Sequence, residues 1–168
     1  AFDGVGPSQT CANIAAEFAF SGRDVFIFGL RRRIHPASNL KFVLPLRNFF
    51  KPLPFRFSRR VLLFLANASM AKAPEDGSIV YVWPSTSYRI VERLKARNCK
   101  IFLEAINIHT IAEKKIIERE MERENFFYDH YVTEDKILNQ RRLISLADAI
   151  FTSNSFSYES FIKAGAAR

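Results

Sequence analysis

Acid is missing from one long stretch of this 168-residue chain. Between Arg31 and Arg60 there are nine Lys or Arg residues and no Asp or Glu. That segment holds +9 of a formal net charge of +8, which leaves −1 for the remainder. Basicity is therefore a property of one region. Cysteine is scarce as well: Cys11 and Cys99 form no framework pattern. They exclude a disulfide-stapled secreted scaffold and read as reduced, buried thiols of a cytoplasmic protein. No run of 18 uncharged apolar residues occurs; the longest stretch, residues 61–66 extended to 71, is too short to cross a bilayer. The first residues do not read as a secretory signal. No Cys, His, Asp or Glu set has metal-ligand spacing, so no metal is expected. The full Gly-x-Gly-x-x-Gly is missing too, because Gln9 stands three residues beyond Gly6. That argues against a dehydrogenase-type nucleotide fold.

What is present is enough apolar material for a core. Apolar residues make up 48% of the chain, with 17 Phe, and the length suits one domain. The clearest unit lies at residues 78–110. Residues 79–83 read as a strand, 86–97 as a helix, and 100–104 as a second strand that leads into a polar loop. Short runs of Ile, Val, Tyr and Phe favour buried strands. Between them, Tyr88, Val91 and Leu94 recur at helical spacing and leave Arg89, Glu92 and Arg93 to water. This is a βαβ unit, whose strand-end loops lie where α/β proteins bind ligands.

The remaining chain alternates in the same manner. Gly4 and Gly6 bracket a turn before a helix whose apolar stripe is Cys11, Ile14, Ala15 and Phe18, with Gly22 as its stop. Residues 24–30 read as a buried strand. Residues 34–57 hold four of the seven prolines and predict an irregular excursion with an extended piece at 41–46. Residues 59–72 predict a helix that is apolar nearly all round and buried. Residues 111–125 predict a solvated helix with Ile111, Ile116 or Ile117, and Met121 on a partial apolar face. Next come an aromatic loop at 125–133 and a helix to Ala147 packing through Leu143, Leu146 and Ala147. A strand at 149–152 and a helix at 156–164 closed by Gly165 follow. The alternation predicts an α/β fold, a Rossmann-like parallel sheet with helices on both faces. No strand precedes Gly4, so the chain reads as beginning inside such a unit.

Three segments in this order resemble the amino-terminal domain of a family 4 glycosyltransferase of the GT-B fold. They are FDGVGPSQTCANIAAEF with the following Gly-Arg-Asp-Val, IVYVWPSTSYRIVERLKARNCKIFLEAINIHT, and LADAIFTSNSFSYESFIKAGA. The third is the most specific, because Ala-Asp-Ala, Ser153 and Gly165 all fall at the family's spacing. Residues 31–72 carry no resemblance. The resemblance implies a single Rossmann-like, acceptor-side domain over residues 1–168, one part of a two-domain enzyme. Such an enzyme moves a sugar from a nucleotide-sugar donor to an acceptor hydroxyl with retention, and without metal or cofactor. The donor half, with two Glu separated by seven residues, would lie in a second domain; no such Glu pair occurs here. The chain alone would then be inactive.

Candidate site residues follow, each with a plainer reading beside it. His109 matches the family's histidine in the loop after the second strand, where it would border the transfer centre as a catalytic group. A histidine there can donate to a sugar hydroxyl or to departing charge; otherwise it is a loop histidine satisfied by backbone. Glu104 ends the strand as a second catalytic candidate facing the cleft, or else forms a structural ion pair. Asn107 is a substrate-binding neighbour or a turn residue. Gly4 and Gly6 let backbone N–H groups approach a donor phosphate, or simply make a tight turn. Ser153 and Asn154 are helix caps first and cleft residues second.

The basic stretch, with Arg31, Arg32, Arg33, Arg59 and Arg60 at its ends, suits an anionic membrane surface or a phosphate-bearing, lipid-linked acceptor. It also suits RNA, or is an ordinary basic surface over buried aromatics. A stand-alone α/β module binding nucleic acid or membrane is the alternative to the enzyme reading. Within the enzyme reading, nucleic acid is not the expected partner, and the protein is cytoplasmic with a membrane-associated face.

Overall fold

The computed structural model describes residues 7–28, 40–43, 55–72, 74–129 and 131–166. The chain divides into two compact units, Ala1–Ala73 and Pro74–Arg168. Both are α/β with parallel strands and surrounding helices. Among the described residues the strands form two small sheets, one of two strands and one of three, where one sheet was expected.

In the first unit, α1 (Pro7–Phe20) precedes β1 (Val25–Phe28), β2 (Leu40–Val43) and α2 (Phe55–Lys72). β1 and β2 pair in parallel, Val25 opposite Leu40 and Phe28 opposite Val43. The buried stripe of α1 differs from the expected one: it is Ala12, Ala15 and Ala19, packed with Ile27 and Leu40. Cys11 only borders this cluster, Ile14 is half-buried and Phe18 is exposed. The physical reason is size, since alanine methyls let the helix backbone come close to a narrow two-stranded sheet. Gly22 ends α1 at a positive φ of 82°, with its N–H donating to Ala19 O at 3.0 Å. The expectation for α2 is corrected too. It starts at Phe55 rather than residue 59, and it is not buried all round: Ala66 is covered, whereas Val61 and Phe64 are exposed.

The second unit runs β3 (Ile79–Val82), α3 (Tyr88–Lys95), β4 (Lys100–Ala105), α4 (Thr110–Arg123), α5 (Glu134–Leu146), β5 (Ala149–Thr152) and α6 (Ser155–Lys163). β3 pairs with β4 and β4 with β5, both in parallel. Strand alternation places Val80, Val82, Ile101, Leu103 and Ala105 in the core, together with Val91 and Leu94 of α3 and Ile137 and Leu143 of α5. The in-between residues Tyr81, Phe102 and Glu104 are half-buried, while Ile79 and Phe151 are exposed. The two strand faces are thus unequally covered, unlike the evenly sandwiched sheet expected. On the less covered face, Phe151 stacks on Tyr81 with ring centroids 5.8 Å apart and meets Phe102 edge-on at 5.7 Å.

Polar side chains lock the helices to this sheet. Asp148, the acid of the Ala-Asp-Ala segment, accepts from the Ile101 N–H at 2.8 Å and from Lys95 Nζ at 2.9 Å. Its own N–H donates to Ile101 O at 2.8 Å. The Ile101 N–H, then the Lys95 ammonium, hold its carboxyl below the ordinary aspartate range. α3 ends where Asn98 takes a positive φ of 57°, and the Cys99 N–H returns to Leu94 O at 3.1 Å. Thr133 caps α5 and Asn154 caps α6, through side-chain oxygens that accept from Lys136 N–H and Ser157 N–H. No helix among the described residues is long and apolar enough to cross a membrane.

Candidate functional site at the carboxyl ends of the strands

Because β3, β4 and β5 are parallel, the loops that follow them emerge along one edge of the sheet. One polar contact joins the loops after β4 and β5, and two more order the second of them. Ser153 Oγ donates to Ile106 O at 2.7 Å, the Asn154 amide donates to Ser153 Oγ at 3.1 Å, and Asn154 Oδ1 accepts from Ser157 N–H at 2.8 Å. Ser153, Asn154 and Asn107 all remain exposed. Ser153 thus ties two loops together, and of the two residues expected as caps it is Asn154 that caps α6.

Two neighbouring amides on α5 organise the same edge, and sequence reasoning missed both. Asn139 Oδ1 accepts from Tyr88 N–H at 3.0 Å, and its NH2 donates to Thr86 O at 3.0 Å and Pro84 O at 3.2 Å. Gln140 Oε1 accepts from both the N–H and the hydroxyl of Thr110, each at 2.7 Å. One side chain therefore shapes the loop after β3 and the other the start of α4. The available signal was Gln140 itself: it is buried in the stripe Ile137, Gln140, Leu143, where an apolar residue belongs. A buried amide must be hydrogen-bonded, so an amide at such a position implies backbone partners.

His109 is where chain position and burial part company. It does stand in the loop after β4, but its side chain is 0% exposed. It caps α4: Nδ1 accepts from Ile111 N–H at 3.1 Å. Its own N–H donates to Ser160 Oγ at 2.9 Å, and its ring meets Phe161 edge-on at 5.4 Å and 85°. The cap requires a bare Nδ1, so the proton sits on Nε2, which is buried with no hydrogen-bond partner among the described residues. Burial, assisted by the positive charge of Arg141, lowers the imidazole pKa to about 4. The histidine is neutral at ordinary pH and its ring has no surface on which to meet a bound molecule. Its work in this arrangement is to fasten α4 to α6.

Glu104 lies in β4, one residue before its end at Ala105, and its carboxylate accepts a hydrogen bond from the Tyr81 hydroxyl. Strand alternation explains this, because Leu103 and Ala105 take the core face and Glu104 must take the other. Gly4, Gly6, Arg31, Arg32 and Arg33 lie outside the described residues. Arg59 and Arg60 fall within α2, with side chains outside the description. Among the described residues no three His, Cys, Asp or Glu side chains are grouped to hold a metal.

An open depression of about 440 Å³ lies beside α4, lined by Glu118, Met121, Tyr128, Asp129 and Glu134 among others. None of the expected site residues lines it. Comparison with protein-family models, with characterised proteins and with solved structures finds no match to this chain.

Proposed function

We propose that this chain forms the acceptor side of a retaining glycosyltransferase of GT-B architecture, an enzyme that moves a sugar from a nucleotide-sugar donor to an acceptor hydroxyl. The observation that carries the reading is the Ser153 Oγ bond to Ile106 O at 2.7 Å. It joins two of the three segments that resemble the family, and it does so at the strand-end edge where α/β folds bind ligands. In this reading Asn107, Ser153 and Asn154 present exposed donors and acceptors to the acceptor's hydroxyls. The amino ends of α4 and α6 face the same edge and favour developing negative charge. His109 serves by holding the Ile106–Asn107 turn against α6, so its role is one of position. The donor site and the paired Glu belong to a second domain, and the segment around Arg31–Arg33 suits a phosphate-bearing or membrane-held acceptor.

The test uses the full-length gene product and a panel of nucleotide-sugars, with release of the nucleotide as readout. Asn107→Ala and Ser153→Ala should each lower kcat/KM by about tenfold, the loss of one hydrogen bond's worth of transition-state binding. Wild-type protein that releases no nucleotide from any donor, or a reading frame with no second domain bearing the paired Glu, would sink the proposal.

A further inference from the structure

The loops after β3, β4 and β5 share a composition as well as an edge. Residues 83–88, 105–112 and 152–158 contain no Asp, Glu, Lys or Arg, although 25% of the chain is charged. His109, which falls among them, is neutral and buried. Ser85, Thr86, Asn107, Ser153 and Asn154 supply hydroxyls and amides, which both donate and accept. The charges bordering these segments are engaged. Glu104 accepts from the Tyr81 hydroxyl and Glu113 from the Tyr131 hydroxyl. The Arg89 guanidinium lies 5.9 Å from the centroid of the Tyr88 ring, and Glu159 is 3.9 Å from Lys163 Nζ. Arg141, exposed on α5, adds positive field at His109. Such an edge gives a phosphate little to pair with and suits a neutral molecule covered in hydroxyls.

Trp83, the chain's single tryptophan, stands at this edge directly after β3. Extending the β3–β4 register one residue past Val82 and Leu103 sets it beside Glu104. Trp83 is half-buried, and its side chain makes no hydrogen bond, ring stack or cation contact with the described residues. Tyr81, Tyr88, Phe151 and Tyr131 each have such a partner. Among the described residues the buried polar side-chain atom without a partner is His109 Nε2, so the unpaired indole N–H opens to solvent. The turn that carries Trp83 is held firmly. Thr86 N–H donates to Trp83 O at 2.9 Å, and the Asn139 amide donates to Thr86 O and Pro84 O. A turn fixed in this way loses little freedom on binding. The indole joins an apolar face to a donor at its rim. A pyranose has the matching halves, a face of C–H groups and a rim of hydroxyls. We propose that Trp83 is the stacking platform for an uncharged pyranose, the ring that bears the acceptor hydroxyl. The acceptor role of that ring rests on the glycosyltransferase reading.

The experiment measures binding to the full-length protein by calorimetry, with no donor present. The probes are the methyl pyranosides of glucose, galactose, mannose and N-acetylglucosamine, their 6-phosphates, and uridine. At least one methyl pyranoside should bind, with an affinity little changed by ionic strength. Trp83→Ala should weaken it by about tenfold, and Trp83→Phe, which keeps a ring and drops the N–H, by about threefold. Unchanged melting of Trp83→Phe shows that the fold is kept. In the transfer assay Trp83→Ala should raise the acceptor KM by about tenfold and leave the donor KM unchanged. Pyranoside binding indifferent to both substitutions overturns the proposal. So does a preference for the 6-phosphates or uridine, or a failure of every pyranoside to bind. Trp83-dependent binding by a protein that releases no nucleotide from any donor would uphold the platform and remove the transferase reading. Transfer with an acceptor KM indifferent to Trp83 would do the reverse.

Discussion

The two parallel sheets are built from similar strands yet secured by different means. In the first unit a helix lies on a two-stranded sheet through alanine methyls, Ile27 and Leu40, and the described ion pair, Lys41 to Asp24 at 3.8 Å, is exposed on both sides. Such a pair contributes little. In the second unit, Leu94, Ile101, Leu103, Leu143 and Phe161 are fully enclosed, and the buried or half-buried polar groups of Asn139, Gln140, Ser160 and His109 are bonded to backbone. The first arrangement is a packing of small groups. The second holds loops in place, and held loops are what a binding edge requires.

The contrast can be broken most forcefully at Phe161. Phe161→Ala should cost about 3–5 kcal/mol, the usual range for emptying an aromatic from a core. It should also free the His109 ring, read in denaturant titration as an earlier midpoint and in amide exchange as faster exchange at Ile111. A loss below about 1 kcal/mol would mean that the site refills and that α6 is not pinned as described.

His109 offers the next largest effect. Its folded pKa of about 4 lies below the ordinary 6.5, so between those values the unfolded chain binds a proton that the folded chain refuses. Stability should therefore be complete above pH 6.5 and fall as the pH drops toward 4, by on the order of 3 kcal/mol. His109→Asn keeps an N-cap acceptor and removes the titration, so its melting temperature should stay flatter across that window. Parallel curves for parent and variant would show that His109 is not the group responsible.

The smallest effect tests the first unit. Ala15→Leu overfills a contact made for methyls and should cost about 1–3 kcal/mol. Amide exchange should quicken in β1 and β2 and stay unchanged in β4. Equal acceleration in β4 would mean that the two units unfold together, and the contrast between them would lose its energetic meaning.

Much of the second unit was legible beforehand for a physical reason: its signals are local. The strand–helix–strand at residues 79–105, the cap at Asn154 and the stop at Gly165 all depend on spacing and backbone preference within a few residues. The errors lie where distant surfaces choose. Periodicity in α1 allowed two stripes, and only the narrow sheet selects Ala12–Ala15–Ala19 over the one containing Phe18. The exposure of Phe64 depends on how much sheet is available to cover α2. Burial of His109 required α6 to arrive from some fifty residues away, as shown by its bond to Ser160. Asn139 and Gln140 were missed because amides on a helix normally face water.

The two-way bond between Asp148 and Ile101 has a consequence for how β5 finds its place. With only four residues, Ala149–Thr152, and none of them fully buried, that strand has little hydrophobic preference for one alignment over its neighbours. A slip of one residue would turn Phe151 toward the core and Ile150 away from it, at modest cost in apolar burial. It would, however, strand a carboxylate away from the Ile101 N–H and from Lys95. The acid just ahead of the strand thus acts as an alignment key: electrostatics and one backbone pair choose the register that side-chain pattern leaves undecided.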